Sequence, residues 1–370
     1  MRVVVTGTRG IPYIMGGVET HCEELYPRLS KLGAEIILIR RSCYVESDKD
    51  RKQFKGVKLK DIYAPRKKSL EAIVHTFLAI CYAKKHRADL IHIHAIGPGL
   101  MVPLARMMGL KVVVTNHGPD YDRQKWGKMA KLILQLGERF SSKYANTVIV
   151  ISKLIENIQR NKYNRNDCKI IHNGVSPAKK SKTSLYLDQL GVEPYKYVIA
   201  TGRFVEEKGF DRLITTFARL NDGTYKLLIA GDADHESDYS LSLKKMAKQE
   251  GVILTGFIKG EQLWEVMTFA RLFVLPSFHE GLPISLLEAM SYGLNVLVSN
   301  IPANKEIGLD EDDYFDPYDL DAFYDKLSNK LKGPHCNKEY NLAPYDWNNI
   351  AKETMEVYEA ICKIKKMPHS

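Results

Sequence analysis

The chain has 370 residues, which exceeds one ordinary hydrophobic core and favours two domains. Its hydrophobic content of 45% is that of a globular protein, and the sequence has no run of about 18 apolar residues that would span a membrane. Its six cysteines are scattered without a Cys-x-x-Cys pair, and the apolar run at the start is too short for a secretory signal. We therefore expect a reduced, cytoplasmic protein.

The charge is distributed unevenly along the chain. Residues 1–182 hold 34 Lys and Arg against 15 Asp and Glu, a net charge of +19, whereas the remainder holds 20 against 29, a net of −9. A basic half and an acidic half indicate two domains, with an anionic surface facing the first. Nucleic acid and acidic lipid would each supply such a surface.

The first half alternates short β-branched runs with amphipathic stretches, which is typical of a parallel sheet covered by helices on both faces. The predicted strands are residues 3–6, 35–39, 90–94, 111–115, 147–151 and 169–172. In such sheets ligands bind at the open ends of the strands.

A glycine-rich loop, residues 7–19, follows the first strand. Gly16 and Gly17 stand directly ahead of a helix, where a phosphate or sugar can lie against bare backbone. A dehydrogenase with a dinucleotide site is the alternative, since Tyr121 and Lys125 reproduce its Tyr-x-x-x-Lys pair. The loop lacks the Gly-x-Gly-x-x-Gly spacing and is longer than that tight turn permits, which argues against a dehydrogenase.

Three histidines stand at strand ends of the first half. His92 and His94 alternate with isoleucine on one strand, so both point to the same face, as two metal ligands could. Without a third ligand in the pattern, histidines that face a cleft are the favoured interpretation. His117 follows the next strand at the sheet edge that carries chemistry, and it is a catalytic candidate; a structural bond to loop backbone is the alternative.

An amphipathic helix is predicted over residues 126–144. Its apolar positions are Met129, Ile133, Leu136, Phe140 and Tyr144, and its polar positions are Lys128, Lys131, Gln135, Arg139 and Ser142. The basic residues that would join it at a membrane-facing surface are Arg66, Lys67, Lys68, Lys84, Lys85 and Arg87. Contact with an anionic membrane and an ordinary solvated helix face both fit this pattern.

The lysine-rich run of residues 176–184 is interpreted as a linker between an N-terminal domain, residues 1–180, and a C-terminal domain, residues 190–345. The second half repeats the alternation of strands and helices. Its predicted strands are residues 196–201, 225–230, 252–254, 272–275 and 295–298. This pattern indicates a second domain of the nucleotide-binding type.

Two cations follow the first strand of the second half. Arg203 and Lys208 lie in the turn of residues 202–210 and suit a diphosphate, Arg as a planar fork and Lys as a point charge. The two glutamates before Lys208 are alternative partners for them. Asp232 and Asp234 mimic a metal-binding Asp-x-Asp, but two cations that neutralise a diphosphate make a divalent ion unnecessary. We therefore expect no metal.

Strand, polar loop and helix meet in residues 276–290. The first turn of a helix beginning at Pro283 presents unpaired N–H groups beside Gly281, which form a seat for an anion. Glu280 precedes this seat and Glu288 lies on the helix. Two carboxylates beside an anion seat indicate a ligand with both hydroxyls and phosphate, such as a nucleotide sugar. Alternatively, Glu288 pairs with a cation and Glu280 caps the helix.

Four separated segments together resemble the family 4 retaining glycosyltransferases of the GT-B fold. They are Gly16-Gly17, the turn of residues 202–209, the segment 173–175, and Glu280 with Glu288 around residues 281–283. The opening Gly-Thr-Arg-Gly-Ile-Pro and residues 125–128 are similar to a bacterial subgroup of rhamnosyltransferases of capsule and O-antigen assembly. The resemblance implies an α/β protein with two Rossmann-like doubly wound domains facing a deep cleft, and a helix at about residues 348–370 that crosses back to the first domain.

The resemblance also implies roles for individual residues. Arg203 and Lys208 would bind the donor diphosphate, Glu288 the ribose hydroxyls, and Glu280 the donor sugar. The remaining donor-binding positions are Gly16, Gly17, Phe257, Gly281, Leu282, Pro283 and Ile284, with Phe257 against the base. His117 would touch the donor sugar near the reacting carbon and would act in catalysis with Glu280, Arg203 and Lys208. Many family members have His-Asp where this chain has His117-Gly118.

The expected activity is retaining transfer from a nucleotide-diphosphate sugar, dTDP-rhamnose or a UDP-sugar, to a glycan or lipid-linked acceptor, without a cofactor. A nucleotide-sugar epimerase of the same fold is an alternative, and it would isomerise the donor without any acceptor. A nucleic-acid-binding protein would explain the basic half but not the acidic half or the paired glutamates, so we expect no nucleic acid partner.

Overall fold

The computed structural model describes residues 1–66, 70–122, 127–220 and 223–363. Lys67, Lys68, Lys125, Trp126 and the end of the predicted crossing helix lie outside these residues. The chain forms two compact units. The first comprises Met1–Gly174 together with the chain from Tyr345 onward, and the second is Val175–Pro344.

The first unit contains a mostly parallel sheet. Its strands are β1 (Arg2–Thr6), β2 (Glu35–Arg41), β3 (Gln53–Phe54), β4 (Val57–Ile62), β5 (Leu90–His94), β6 (Val112–Asn116), β7 (Thr147–Val150) and β8 (Lys169–Ile170). Their order is β3-β4-β2-β1-β5-β6-β7-β8, and only β3 pairs antiparallel, with β4, among the described strands. The order reverses between β1 and β5, so the loops after these two strands open side by side.

Helices cover this sheet. They are α1 (Gly17–Lys31), α2 (Glu71–Lys85), α3 (Val102–Met107), α4 (Lys128–Tyr144) and α5 (Lys153–Tyr163). Every residue of β5 and β6, and every residue of β1 after Arg2, is buried, so both faces of these central strands are covered.

The second unit contains a parallel sheet of the same kind. Its strands are β9 (Tyr197–Thr201), β10 (Lys226–Ala230), β11 (Ile253–Gly256), β12 (Leu272–Leu275), β13 (Val296–Ser299) and β14 (Tyr314–Phe315), in the order β11-β10-β9-β12-β13-β14. Its helices are α6 (Leu185–Leu190), α7 (Phe210–Leu220), α8 (Asp238–Gln249), α9 (Glu261–Thr268), α10 (Ile284–Ser291), α11 (Pro302–Lys305) and α12 (Leu320–Lys332). The order reverses between β9 and β12.

The last helix, α13 (Trp347–Lys363), belongs to the first unit, where it packs beside α1. Trp347, Ile350 and Tyr358 are buried in the same apolar core as residues of β1 and α1. Gly174 lies against Trp347 so closely that a Cβ at Gly174 would be 2.5 Å from the indole ring. A side chain at residue 174 would therefore displace the start of α13.

The helix α4 packs on the protein through a different face from the one predicted. The side that packs on the protein carries Gly137, Glu138, Ser141 and Ser142, all of which are buried. The prediction that Ser142 lies on the polar face opposite the apolar positions, exposed to solvent, is wrong, because Ser142 is buried. The small residues let α4 approach closely, since a Cβ at Gly137 would lie 2.2 Å from the carbonyl oxygen of Ile96.

The outward side of α4 is apolar and basic together. Met129 is 72% exposed, Leu132 58% and Leu136 38%, and the exposed cations Arg139 and Lys143 lie on the same side. No helix in the described part of the chain has the length and apolarity needed to cross a bilayer.

Candidate functional site

The loops after β9 and β12 lie next to each other in the second unit because these strands are neighbours. The backbone N–H of Phe278, after β12, donates to the carbonyl of Glu207, after β9, at 2.8 Å. Gly209 adopts a φ of 62° and lies against Pro276, where a Cβ would be 2.3 Å from the carbonyl oxygen. The two loops are thus held together by backbone contacts that leave no space for a side chain at residue 209.

Lys208 and Glu280 form an ion pair across these two loops. The Lys208 Nζ lies 2.6 Å from Glu280 Oε1, and the two side chains are only 16% and 11% exposed. Burial alone would raise the pKa of Glu280, but the charge and hydrogen bond of Lys208 outweigh it and leave that pKa below its ordinary value. The Glu280 carboxylate therefore stays charged, fixed beside the Lys208 Nζ.

Arg203, in the same loop as Lys208, pairs with Asp234 at 2.9 Å, and both side chains are 21% exposed. The alternative partners suggested by the sequence, Glu206 and Glu207, are not the acids found beside Arg203 and Lys208. Asp234 follows β10, the other neighbour of β9, so its position at the same sheet edge is the signal that could have found it. Asp232 pairs with Lys244 at 2.9 Å, so each acid of the Asp-x-Asp has its own cation.

The helix α10 begins one residue later than predicted. Pro283 is its N-cap residue, with extended backbone, and its carbonyl accepts from the N–H groups of Leu286 and Leu287 at 3.2 and 3.3 Å. Proline fits this position because it lacks an N–H group and keeps the preceding loop out of the helix. The first turn of α10 follows directly on the loop that carries Glu280 and Gly281, as expected for an anion seat.

The other predicted donor-binding residues take distinct places in this unit. Leu282 and Ile284 are buried, so their backbone rather than their side chains would meet a ligand. Glu288 is half-buried on α10. Burial of Tyr292, followed by the nearby charge of Glu288, raises the pKa of Tyr292 to about 12. Phe257 is 42% exposed after β11, with the Lys259 ammonium 5.4 Å from its ring centre. Because β10 lies between β11 and β9, Phe257 does not lie beside the Lys208–Glu280 ion pair.

His117 is the partly buried member of a cluster of histidines in the first unit, whose other members, His21, His92 and His94, are buried. Its Nε2 lies 2.9 Å from Nδ1 of His94, and its ring centre is 5.0 Å from that of His21, on α1. The rings of His92 and His94 stack at 4.4 Å, which confirms that both point to one face. His21 was missed by the sequence reasoning because nothing local connects a residue of α1 with the ends of β5 and β6.

These imidazoles are held neutral. Burial, followed by the nearness of other histidines, lowers the pKa of His21, His92 and His117 to about 3 and that of His94 well below its usual value. At neutral pH each ring therefore carries one N–H donor and one lone pair.

His21, His94 and His117 are also the described residues that come nearest to a metal centre. One nitrogen from each lies within 4.8 Å of the others. In a tetrahedral zinc site with bonds of about 2.0–2.1 Å, the ligand atoms are about 3.4 Å apart. Here two of the three nitrogens, His94 Nδ1 and His117 Nε2, are instead hydrogen-bonded to each other at 2.9 Å. The arrangement is that of a hydrogen-bonded cluster. His92, which the alternation with isoleucine left as a possible ligand beside His94, bonds the Thr115 hydroxyl at 2.7 Å.

Gly16 and Gly17 differ in their surroundings. Gly16, the N-cap of α1, has a φ of 145°, and a Cβ there would lie 2.2 Å from Glu19 Oε2 and 2.5 Å from Arg9. Burial acts to raise the pKa of Glu19, but Arg9, 3.1 Å away, prevails and lowers it to about 2. Gly16 thus accommodates an internal ion pair, whereas a Cβ at Gly17 would meet no described atom within 4 Å. Of these two glycines, Gly17 is the one with open space beside it among the described residues.

Replacing Gly17 by alanine tests this difference. We expect the melting temperature to stay the same or rise slightly, because alanine is the better helix former by up to about 1 kcal/mol. The KM for the donor should increase about tenfold if a ligand lies against this backbone. Gly127→Ala, at the start of α4 with equally open space, is the control. Equal KM values in both variants would show that no ligand approaches Gly17.

Two protein-family models match this chain, one over most of each unit. Residues 15–179 match the family model "Glycosyltransferase Family 4", and residues 182–346 match "Glycosyl transferases group 1". The alpha-maltose-1-phosphate synthase of Mycobacterium tuberculosis (strain H37Rv) is 25% identical over 98% of this chain and 100% of its own.

Two further proteins are similar. The GDP-mannose:cellobiosyl-diphosphopolyprenol alpha-mannosyltransferase of Xanthomonas oryzae pv. oryzae is 31% identical over 58% of this chain and 57% of that protein. The structure of sucrose-phosphate synthase from Thermosynechococcus elongatus superposes with a TM-score of 0.82 at 19% identity, covering 98% of this chain and 99% of that one.

Two Rossmann-like units with mostly parallel sheets, each matched by a glycosyltransferase model, define the GT-B fold. The chain belongs to the glycosyltransferases, with a family 4 domain followed by a group 1 domain. The predicted fold class and the prediction of a glycosyltransferase are thereby confirmed, whereas the retaining mechanism stays a prediction. The closeness to rhamnosyltransferases stays a prediction, because these relatives are named for maltose phosphate and mannose.

Proposed function

We propose that the protein is a retaining hexosyltransferase that moves a sugar from a nucleotide-diphosphate donor to a glycan or lipid-linked acceptor in cell-surface polysaccharide synthesis. The donor is dTDP-rhamnose or a UDP-sugar. The observation that carries the proposal is the Lys208–Glu280 pair, held at the reversal of strand order in the second unit. This is the place where open α/β sheets bind nucleotides.

Each member of the pair has a separate task. Lys208, with Arg203 and the first turn of α10, neutralises the diphosphate, and the charge that develops on the leaving phosphate is stabilised by these fixed groups. Glu280 accepts hydrogen bonds from the donor sugar, and Glu288 accepts them from the ribose. Phe257, part-exposed at the end of β11, packs on the base.

The reaction breaks the bond between the anomeric carbon and the phosphate oxygen and forms one to the acceptor oxygen on the same face. The departing phosphate takes the proton of the acceptor hydroxyl. A cationic environment for the diphosphate, already supplied by Arg203 and Lys208, makes this departure possible without a metal ion. His117, neutral at pH 7, contacts the donor sugar by a hydrogen bond.

A relative named for GDP-mannose and a diphosphopolyprenol acceptor supports both the donor class and the lipid-linked acceptor. The test is a panel of dTDP-rhamnose, UDP-sugars and GDP-mannose in a thermal shift assay, since a bound donor raises stability by mass action. Donors that stabilise the protein are then incubated with and without polyprenyl-diphosphate glycans. Transfer with retained anomeric configuration is expected. An isomerised sugar from donor alone would identify an epimerase, and no stabilisation by any donor would overturn the proposal.

The outward side of α4 is where we place contact with an anionic membrane. Exposed Leu132 and Leu136 insert among acyl chains while Arg139 and Lys143 meet headgroups. A groove of about 570 Å³ beside these four residues, also lined by Lys162, offers room for a phosphate headgroup.

Flotation with vesicles containing phosphatidylglycerol tests this contact. Because a basic residue near an anionic surface contributes about 1 kcal/mol, Arg139→Glu should weaken binding at least fivefold, and Leu132→Glu should do the same. Leu185→Glu, at an equally exposed leucine of the second unit, is the control and should leave binding unchanged. If wild-type protein fails to float at low salt, α4 is an ordinary solvated helix.

A further inference from the structure

A chain of hydrogen bonds leads from His117 into the interior of the first unit. His117 Nε2 meets His94 Nδ1 at 2.9 Å, and His94 Nε2 meets the hydroxyl of Tyr26. The Tyr26 hydroxyl is 3.1 Å from His92 Nδ1, and His92 Nε2 is 2.7 Å from the Thr115 hydroxyl. Tyr26, His92 and His94 are fully buried, so no water competes for these bonds.

A second tyrosine decides the direction of the bonds. The hydroxyl of Tyr358, on α13, lies 2.6 Å from His92 Nδ1, closer than the hydroxyl of Tyr26. A phenol hydroxyl is a good donor, and the lone pair of a neutral imidazole is a good acceptor. Two phenol hydroxyls converge on His92 Nδ1, whereas Nε2 faces the alcohol of Thr115, which is a weaker donor, so we place the lone pair of His92 on Nδ1 and its hydrogen on Nε2. Tyr358 then donates to Nδ1, and the Tyr26 hydroxyl is left to donate to His94 Nε2.

This direction fixes the remaining rings. His94 accepts at Nε2, so its hydrogen is on Nδ1, and Nδ1–H donates to His117 Nε2. His117 in turn must carry its hydrogen on Nδ1. Among the residues that the structure describes, Nδ1 of His117 has no hydrogen-bond partner, and the side chain is only partly buried. The N–H group at Nδ1 of His117 is therefore available for a further hydrogen bond.

We infer that Tyr26, His94 and Tyr358 are positioning residues that hold His117 in the Nδ1–H form, so that it donates a hydrogen bond to an oxygen of the donor sugar. This inference deepens the proposed function and rests on it. The His117 tautomer itself can be measured without turnover, which keeps the two separable.

The test begins with the resting protein labelled with nitrogen-15 at histidine. In the wild type, His117 should show a protonated Nδ1 and an unprotonated Nε2. Tyr26→Phe removes the donor to His94, which lets the His94 hydrogen move to Nε2. His117 should then carry its hydrogen on Nε2. We expect kcat to fall about tenfold, which corresponds to the loss of one hydrogen bond in the transition state, with KM for the donor nearly unchanged.

Three further variants complete the design. Tyr197→Phe, which loses an equally buried hydroxyl bond to the carbonyl of Val266 in the second unit, controls for a general loss of stability and should leave the tautomer and kcat unchanged. Tyr358→Phe should shift the tautomer in part. His117→Asn keeps a donor at the δ position and should retain more activity than His117→Ala. A wild-type His117 with its hydrogen on Nε2, or a tautomer unaffected by Tyr26→Phe, would overturn the inference, whereas absence of transfer with every donor would overturn only the proposed function.

Discussion

Replacing Lys208 by alanine is expected to reduce kcat by about 10²–10³-fold, the loss typical when one preorganised group that stabilises developing charge is removed. The substitution deletes a cation proposed to face the leaving diphosphate. It also leaves Glu280, only 11% exposed, without its 2.6 Å partner. The protein should therefore lose roughly 2–4 kcal/mol of stability as well.

The double variant Lys208→Met/Glu280→Gln separates these two effects. It removes both charges, so the free energy of unfolding should recover towards the wild-type value, but activity should stay low. Lys330→Ala is the control within the same unit, because it breaks an ion pair with Asp313 while Lys338 still neutralises that acid. Denaturant unfolding and initial rates with a fixed donor are the measurements. Near-normal turnover in the double variant would contradict the role of this pair.

Gly209→Ala is expected to have the second-largest effect. The residue adopts a φ of 62°, and its Cβ would lie 2.3 Å from the carbonyl oxygen of Pro276. Because that atom belongs to backbone, one of the two loops must move, and Lys208 or Glu280 moves with it. A displacement of about 1 Å at the reacting groups costs about 10² in rate.

Gly191→Ala provides the matched control. Gly191 has a φ of 66° but open space around it, so alanine there costs only the positive φ, about 1–2 kcal/mol. Gly209→Ala should cost about 1–3 kcal/mol more through the contact with Pro276. Thermal unfolding of both variants and their kcat values give the comparison. Equal stability in the two variants would show that the loops after β9 and β12 are not tightly joined.

Local sequence patterns located most of the sheet. The strands Leu90–His94 and Leu272–Leu275 have the predicted bounds. Leu272–Leu275 is a short continuous apolar run, and in Leu90–His94 isoleucine alternates with histidine at the period of a strand. The strand Val57–Ile62 was missed, since lysine at alternate positions makes one of its faces exposed and weakens the apolar signal. The strand Tyr314–Phe315 is too short for any period to be recognised.

The sequence by itself determined the alternation of strands and helices, the two halves, and the residue types that suit a diphosphate and a sugar. Only the tertiary structure decided which of these residues meet. Lys208 pairs with Glu280, 72 residues further along the chain, rather than with the adjacent Glu207, and His21 joins His94 and His117. The physical reason is that buried charges and imidazoles find partners through the order of strands in the sheet, which brings β12 beside β9 and β5 beside β1 and β6. Sequence separation carries no information about that order.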